Sequence, residues 1–135
     1  MRVIEFRGKR IDNGEWVYGN LMQFEDSGTF IFVDERKGAS TLTYAHFIIN
    51  NMHAIDEKTV GQYTERQDIN NNKIFEKDIA TCQFFDKKIT GLIEFIEYMW
   101  AVNDRKNQRL YQLNEVSNIE VIGNVEENPE LLEAK

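Results

Sequence analysis

The run Ile79-Ala80-Thr81-Cys82-Gln83-Phe84-Phe85 decides the fold class. It is one of several short runs, separated by tight turns, in which branched and aromatic residues dominate. Such side chains suit a pleated, half-buried surface better than a helix. Five or six short strands in close succession predict a small barrel or roll, because closure removes exposed sheet edges. The predicted strands are residues 73–76, 79–85, 90–97, 99–102, 109–113 and 118–125.

The composition of the whole chain agrees with a β-rich globular protein. Its 135 residues suit one domain or two very small ones. Hydrophobic residues make up 41% and charged residues 29%, which excludes disordered, collagen-like and coiled-coil classes. Val, Ile, Phe, Tyr, Trp and Thr account for a third of the chain, whereas Ala, Leu and Met are few. This imbalance favours strands over helices.

The N-terminal part reads as a three-stranded meander over residues 1–34. Asp12-Asn13-Gly14 lies between two apolar runs, which is a strong hairpin signal. Residues 26–28 form a second turn before the β run 29–33. Residues 41–52 are ambiguous, because their apolar spacing is near-helical while 47–49 also suits a strand. We predict a short helix there.

Two further signals organise the C-terminal half. The polar cluster Asp68-Ile69-Asn70-Asn71-Asn72 marks a boundary, so we predict an N-terminal β-rich part over residues 1–67 and a small barrel over 68–135. Asn128-Pro129-Glu130 has the residue types of a helix start, with Asn as the N-cap and Pro in the first turn. We expect a short C-terminal helix that docks through Leu131 and Leu132.

The charge distribution limits the partners. The formal net charge is −7, and residues 120–135 carry more than half of it, so non-specific attraction to phosphate backbones is disfavoured. The basic cluster near the N-terminus fits a solvated sheet edge better than a nucleic-acid site. It comprises Arg2, Arg7, Lys9 and Arg10. The sequence has no apolar segment of bilayer length and no signal peptide, so we expect a cytoplasmic protein.

No catalytic or metal motif is present in the sequence. Cys82, the single cysteine, excludes an intramolecular disulfide and fits a core position better than a nucleophile. His46 and His53 are a weak case for a metal site, because no carboxylate accompanies them at a fixed spacing, and packed or surface positions suit them better. The acidic pairs Glu76 with Asp78 and Glu94 with Glu97 suit turn capping or pairing with a neighbouring lysine. We therefore expect no enzyme activity, no cofactor and no small-molecule substrate.

Aromatic and basic residues interleave in two places. Phe6 and Arg7 lie near Trp16 and Tyr18 in the first hairpin. The second place is a loop at 103–109, which follows Trp100. Its basic residues are Arg105, Lys106 and Arg109. Single-strand binders combine such stacking platforms with basic grooves, although in small β proteins these aromatics more often form the core. These three cations are the candidate nucleic-acid residues.

Three ordered motifs together resemble the YopX family of small phage and prophage proteins of Bacillus and related bacteria. The first is Phe6-Arg7-Gly8-Lys9-Arg10 with residues 13–19, Asn-Gly-Glu-Trp-Val-Tyr-Gly. The second is 59–64, Thr-Val-Gly-Gln-Tyr-Thr, leading to 74–79, Ile-Phe-Glu-Lys-Asp-Ile. The third is 121–124, Val-Ile-Gly-Asn, with 128–132, Asn-Pro-Glu-Leu-Leu.

The resemblance implies a β-rich N-terminal part followed by a small SH3-like barrel. Its motifs resemble folding signatures rather than an active site, so it transfers no catalytic residue. This chain has Glu65, Asn72 and Lys77 where the family has glycine. Asn72 can partly replace a glycine at positive φ, and we expect that Glu65 and Lys77 cannot. Either these positions do not need positive φ, or the turns are locally altered.

These observations lead to two functional hypotheses. The first is a phage-encoded accessory protein that binds a phage or host protein or associates with itself, since a short chain buries a limited core. The alternative is nucleic-acid binding through the small barrel and its basic loop.

Overall fold

A computed structural model describes residues 4–26, 28–33 and 51–133. The chain is mainly β with antiparallel strands, as predicted, and it divides into two compact units, Met1–Gln62 and Tyr63–Lys135. Most of the ambiguous segment 41–52, including His46, lies outside the described residues. Its last residue, Met52, begins a strand, so the helix prediction is wrong at this end. The predicted boundary between an N-terminal part at residues 1–67 and a small barrel at 68–135 stays a prediction.

The first unit is an antiparallel meander. Its strands are β1 (Phe6–Lys9), β2 (Trp16–Phe24), β3 (Gly28–Phe32) and β4 (Met52–Ala54). β2 lies between β1 and β3, and β4 pairs with β3. The predicted turn joins β1 and β2, with Gly14 at a φ of 72° and the Asn13 side chain accepting from the Glu15 N–H. The three-stranded meander is therefore confirmed.

The ends of this meander meet. Arg10 forms an antiparallel bridge with Ile55, and the Asp56 N–H donates to the Lys9 carbonyl over 2.9 Å. A single 3₁₀ turn, Glu57–Thr59, follows, and its Thr59 hydroxyl accepts from the Lys9 N–H over 2.8 Å. Ile31 and Ile55 are buried inside, so the first unit has its own small core.

The second unit contains a five-stranded antiparallel sheet built from the strands predicted in this part of the chain. Strand β5 (Gly61–Gln67) enters this unit and pairs with β6 (Lys73–Phe75). The remaining strands are β7 (Asp78–Phe84), β8 (Lys87–Ile96), β9 (Met99–Asp104), β10 (Arg109–Gln112) and β11 (Ser117–Asn124). Their order in the sheet is β10-β9-β8-β7-β11. The last strand, β11, thus returns beside β7, the first strand of this sheet along the chain.

Strand β8 changes partner along its length. Residues 87–92 pair with β7, whereas 92–96 pair with β9, and Leu92 is paired on both sides. At Gly91 an added Cβ would come within 2.6 Å of a Val102 methyl carbon and 2.8 Å of the Asn103 carbonyl oxygen. Glycine at this position therefore permits the close approach of β8 and β9.

The core of the second unit consists of inward-facing residues of strands β6 to β11 and of the segment between β10 and β11. The buried members are Ile74, Ala80, Cys82, Ile89, Ile93, Val102, Tyr111, Leu113, Val116 and Ile119. The predicted placement of Cys82 in the core agrees with this arrangement.

The C-terminal helix is a single 3₁₀ turn, Pro129–Glu133, rather than an α-helix. The Asn128 side chain does not cap it in the predicted manner. Its Oδ1 instead accepts from the Asn124 N–H, on the strand side of the turn, over 3.3 Å. Asn128 nevertheless supplies the backbone carbonyl that accepts from the Leu131 N–H. Pro129 lies at the first position, where a missing N–H costs nothing.

Candidate functional site

The basic loop lies between β9 and β10 in the second unit. Arg105 and Lys106 are exposed in it, and both line a cavity of about 290 Å³. Lys88 of β8 lines the same cavity, although sequence reasoning did not select it. The third candidate, Arg109, is the first residue of β10. In the antiparallel register it lies opposite Asp104, the last residue of β9. The structure therefore brings two of the three predicted residues together with one new cation.

Asp104 holds this loop in place. It is only 2% exposed, and its carboxylate accepts from the Asn107 N–H over 3.2 Å and from the Asn107 side-chain amide over 2.8 Å. The lining also includes Leu131 and Leu132 of the C-terminal 3₁₀ turn, and Asp104 itself. The cavity thus combines three cations with one acid and an apolar surface. Its net positive charge favours an anionic group over a cation.

The turn between β8 and β9 presents a solvent-exposed tyrosine. Ile96 pairs with Met99, so Glu97 and Tyr98 are the two turn residues. Their φ angles are 51° and 66°, the left-handed arrangement of a type I′ turn. This turn normally uses Asn-Gly, because other residues pay a steric cost at positive φ. Tyr98 is 96% exposed, so contacts within its own chain offset little of that cost.

A second aromatic turn lies at the other end of β8. Phe85 follows β7 with a φ of 56° and is 86% exposed. Its ring makes a T-shaped contact with Phe84 at 4.7 Å between centroids. Both hairpin turns of β8 therefore carry an exposed aromatic residue where glycine would be unstrained.

A small cavity lies beside the Tyr98 turn. Its volume is about 180 Å³, and its lining includes Arg66, Met99, Trp100, Gln112, Leu113 and Asn114. The Arg66 guanidinium donates a hydrogen bond to the Leu113 carbonyl. Trp100 also contacts Phe95, which is 51% exposed, with 5.0 Å between ring centroids. We name Glu97, Tyr98 and Phe95 together with this cavity the β8–β9 end.

The other aromatic and basic cluster belongs to the first unit. Arg7 and Lys9 lie over the Trp16 ring, with distances of 4.8 Å and 5.5 Å to its centroid. Arg7 is only 7% exposed. Both cations are thus engaged in cation–π contacts within the sheet. This geometry agrees with a packed surface rather than with an open platform for base stacking.

Three of the candidate acid and thiol groups make structural hydrogen bonds or are buried. The Asp78 carboxylate accepts from the Phe75 N–H over 2.8 Å, which is the predicted turn capping. Glu94 accepts from the Asn103 side chain over 2.7 Å. Burial, together with the negative charge of Asp104, raises the pKa of Cys82 to about 11. Cys82 therefore remains a protonated thiol at neutral pH.

Two observations concern metals and membranes. Across residues 4–26, 28–33 and 51–133, no three His, Cys, Asp or Glu side chains are grouped to hold a metal ion. The same residues include no helix of the length and apolarity needed to cross a bilayer.

The fold and these surfaces define a small antiparallel β protein of two units, with exposed aromatic turns and a basic loop on its second unit. The family model described as YopX protein matches residues 5–133. The chain therefore belongs to the YopX family, as the three sequence motifs suggested. Comparison with curated proteins gives no match.

The structure gives the backbone conformation at the three positions where the family has glycine. Glu65 and Lys77 adopt φ angles of 72° and 76°, so the expectation that they cannot take positive φ is wrong. In the polar cluster the left-handed residue is Asn71, with a φ of 66°. Asn72 instead donates its N–H to the Asp68 carboxylate. Glu65, at an irregularity within β5, and Lys77, in the turn before β7, thus keep a glycine-type backbone with larger side chains, at a cost in strain.

Proposed function

We propose that this chain is a cytoplasmic accessory protein of phage or prophage that acts by binding another protein or a second copy of itself, without catalysis. The observation that carries the proposal is Tyr98, a fully exposed aromatic residue in a left-handed turn. Backbone strain that is not offset by contacts within the folded chain is characteristic of functional positions. Tyrosine is among the residues enriched at protein interfaces.

The surroundings of Tyr98 support a binding role. Phe95 and Trp100 extend the aromatic surface next to the turn. Interfaces concentrate their binding energy in such aromatic clusters beside small pockets. Two of the candidate acids accept structural hydrogen bonds, Asp78 from the Phe75 N–H and Glu94 from Asn103, and the Cys82 thiol is buried, which supports a binding role over a catalytic one.

The test compares Tyr98→Gly with Phe85→Gly. Each variant removes an exposed aromatic residue at a positive φ, so both relieve backbone strain, and Phe85→Gly in addition loses the ring contact with Phe84. We expect the wild-type chain to associate, by mass in light scattering, or to retain a stoichiometric partner that survives nuclease treatment. Tyr98→Gly should abolish this binding while Phe85→Gly retains it. Binding that is unchanged by Tyr98→Gly would contradict the proposal.

A second candidate function is nucleic-acid binding through the small barrel and the 103–109 loop. The specific observation is the cavity lined by Lys88, Arg105 and Lys106, which gathers three cations on an otherwise acidic chain. Binding through phosphates weakens with salt, because each neutralised phosphate releases counterions.

This candidate is tested by the anisotropy of a labelled single-stranded oligonucleotide over a salt series. Neutralising all three cavity cations to Gln should weaken binding and reduce the slope of log K against log salt by about 2. Lys87→Gln is the control, because Lys87 lies beside Lys88 on β8 and also carries a positive charge. No binding at low salt, or an equal loss in the control, would exclude this function.

A further inference from the structure

We infer that two copies of this chain associate through their β8–β9 ends, with Tyr98 of each copy in the Arg66 cavity of the other. The inference rests on the proposed function and names the partner as a second copy. It concerns the second unit alone.

The arrangement of the β8–β9 end permits a symmetric contact. Tyr98 projects at the turn, and the next two residues of the chain, Met99 and Trp100, line the cavity. The projection and the cavity therefore belong to one surface patch. A two-fold interface requires such a self-complementary patch, in which residue i contacts residue j and j contacts i. It closes as a dimer and leaves no free end for further copies.

The chemistry of the two parts is complementary. The turn carries the Glu97 carboxylate next to Tyr98, and the cavity wall carries the Arg66 guanidinium. Arginine has five donors in a planar fork, which matches a carboxylate even when one donor serves Leu113. The Trp100 and Leu113 walls suit an aromatic ring, and the amides of Gln112 and Asn114 offer partners for its hydroxyl.

The turn between β7 and β8, at the other end of β8, is a matched control within the same chain. Phe85 is exposed and left-handed like Tyr98, and the neighbouring turn residue Asp86 carries a carboxylate like Glu97. If exposed aromatic surface alone drove association, the two ends would behave alike. The inference assigns the contact to the β8–β9 end only.

The first experiment measures the mass of the full-length protein by light scattering over a concentration series. We expect a dimer whose dissociation constant rises about thirtyfold in Tyr98→Gly, the effect typical of a hot-spot residue. Phe85→Gly should leave it unchanged. A wild-type mass of one chain would overturn the inference. If the wild-type chain is a monomer but retains another protein in a Tyr98-dependent manner, the proposed function still stands. If it retains no protein, the proposed function and the inference both fail.

A cross-linking experiment tests the pairing itself. The variants Glu97→Cys and Arg66→Cys are mixed, oxidised and resolved without reductant. Because the native Cys82 is buried with a raised pKa, it does not contribute to cross-links. We expect a mixed disulfide-linked dimer in the mixture, in excess of that in either variant alone. Asp86→Cys with Arg66→Cys is the matched control. An equal yield in that control would overturn the inference, even where a dimer forms.

Discussion

The Asp68 carboxylate accepts a hydrogen bond from the Val121 N–H over 3.0 Å, across 53 residues of the chain. Its other oxygen accepts from the N–H groups of Asn70 and Asn72, both over 2.9 Å. Burial alone would raise the pKa of Asp68, but these three backbone donors outweigh it and hold the pKa below its ordinary value of 3.8. One carboxylate therefore organises the turn before β6 and joins it to β11.

Asp68→Asn should lower the free energy of unfolding by about 2–3 kcal/mol, because an amide replaces a charged acceptor of backbone hydrogen bonds. The folded-state pKa is depressed, so the stabilisation is present above the ordinary pKa and is lost as the pH falls through the folded value. Urea denaturation from neutral to acidic pH should show a smaller acid-induced loss in the variant. Asp12→Asn, at an exposed ion pair with Arg10, is the control and should change little. Equal stability of Asp68→Asn and wild type would contradict this role.

Lys77→Gly should stabilise the protein by about 0.5–1 kcal/mol, since relief of left-handed strain exceeds the added freedom of the unfolded chain. Glycine keeps both backbone hydrogen bonds of this position, from the Lys77 N–H to Ile93 and from the Val125 N–H to the Lys77 carbonyl. Thermal and chemical denaturation measure the change. Lys88→Gly, within strand β8, should instead destabilise the protein. A loss of stability in both variants would show that the Lys77 side chain contributes more than the strain costs.

Gly91→Ala should destabilise the protein by about 1–3 kcal/mol, the usual cost of overpacking. The added methyl group would meet Val102 and the Asn103 carbonyl, where β8 passes from one partner strand to the other. Equilibrium unfolding in guanidinium gives the magnitude. Val102→Ala is itself destabilising, because Val102 is a core residue. The combined variant should nevertheless lose less stability than the sum of the two single losses, because Val102→Ala removes the nearer of the two contacts. Additive losses would place the strain at the Asn103 carbonyl.

Cys82 should react with a thiol reagent only after unfolding. It is 1% exposed, and its raised pKa leaves little thiolate at neutral pH. The raised pKa of Cys82 also makes the stability of the fold depend on pH. A raised folded-state pKa gives stabilisation that is present below the ordinary value of 9.0 and is lost as the pH rises toward about 11. Cys82→Ala should therefore show a shallower loss of stability over this alkaline range. Rapid reaction of the native protein would refute the buried placement.

Much of the strand pattern follows from local sequence. The predicted strand at residues 79–85 corresponds to β7 within one residue at each end, because its branched and aromatic residues favour an extended backbone. Strand β5 was not predicted, since Gly61–Gln67 is largely polar and has no clear alternation. The C-terminal turn has the residue types of a helix start but extends over only five residues, too few for an independent α-helix.

The candidate sites depended on information that spacing does not carry. Lys88 lies 17 residues before Arg105 along the chain and lines the same cavity only in the folded protein. The aromatic turns at Phe85 and Tyr98 contain no glycine, so the usual signal for a tight turn was missing there. The exposure of these two rings could be learned only from the structure.

The Asp68–Val121 contact also has a consequence for the order of folding. The β7–β8 and β8–β9 hairpins join residues that are close along the chain, and such local pairings form in microseconds. The β11–β7 pairing and the Asp68 contact close much longer loops, whose entropic cost is met only once the local pairings exist. During synthesis these contacts also await β11, which follows every other strand of this sheet along the chain. The strand of the sheet that is made last is thus the one that forms the Asp68 contact.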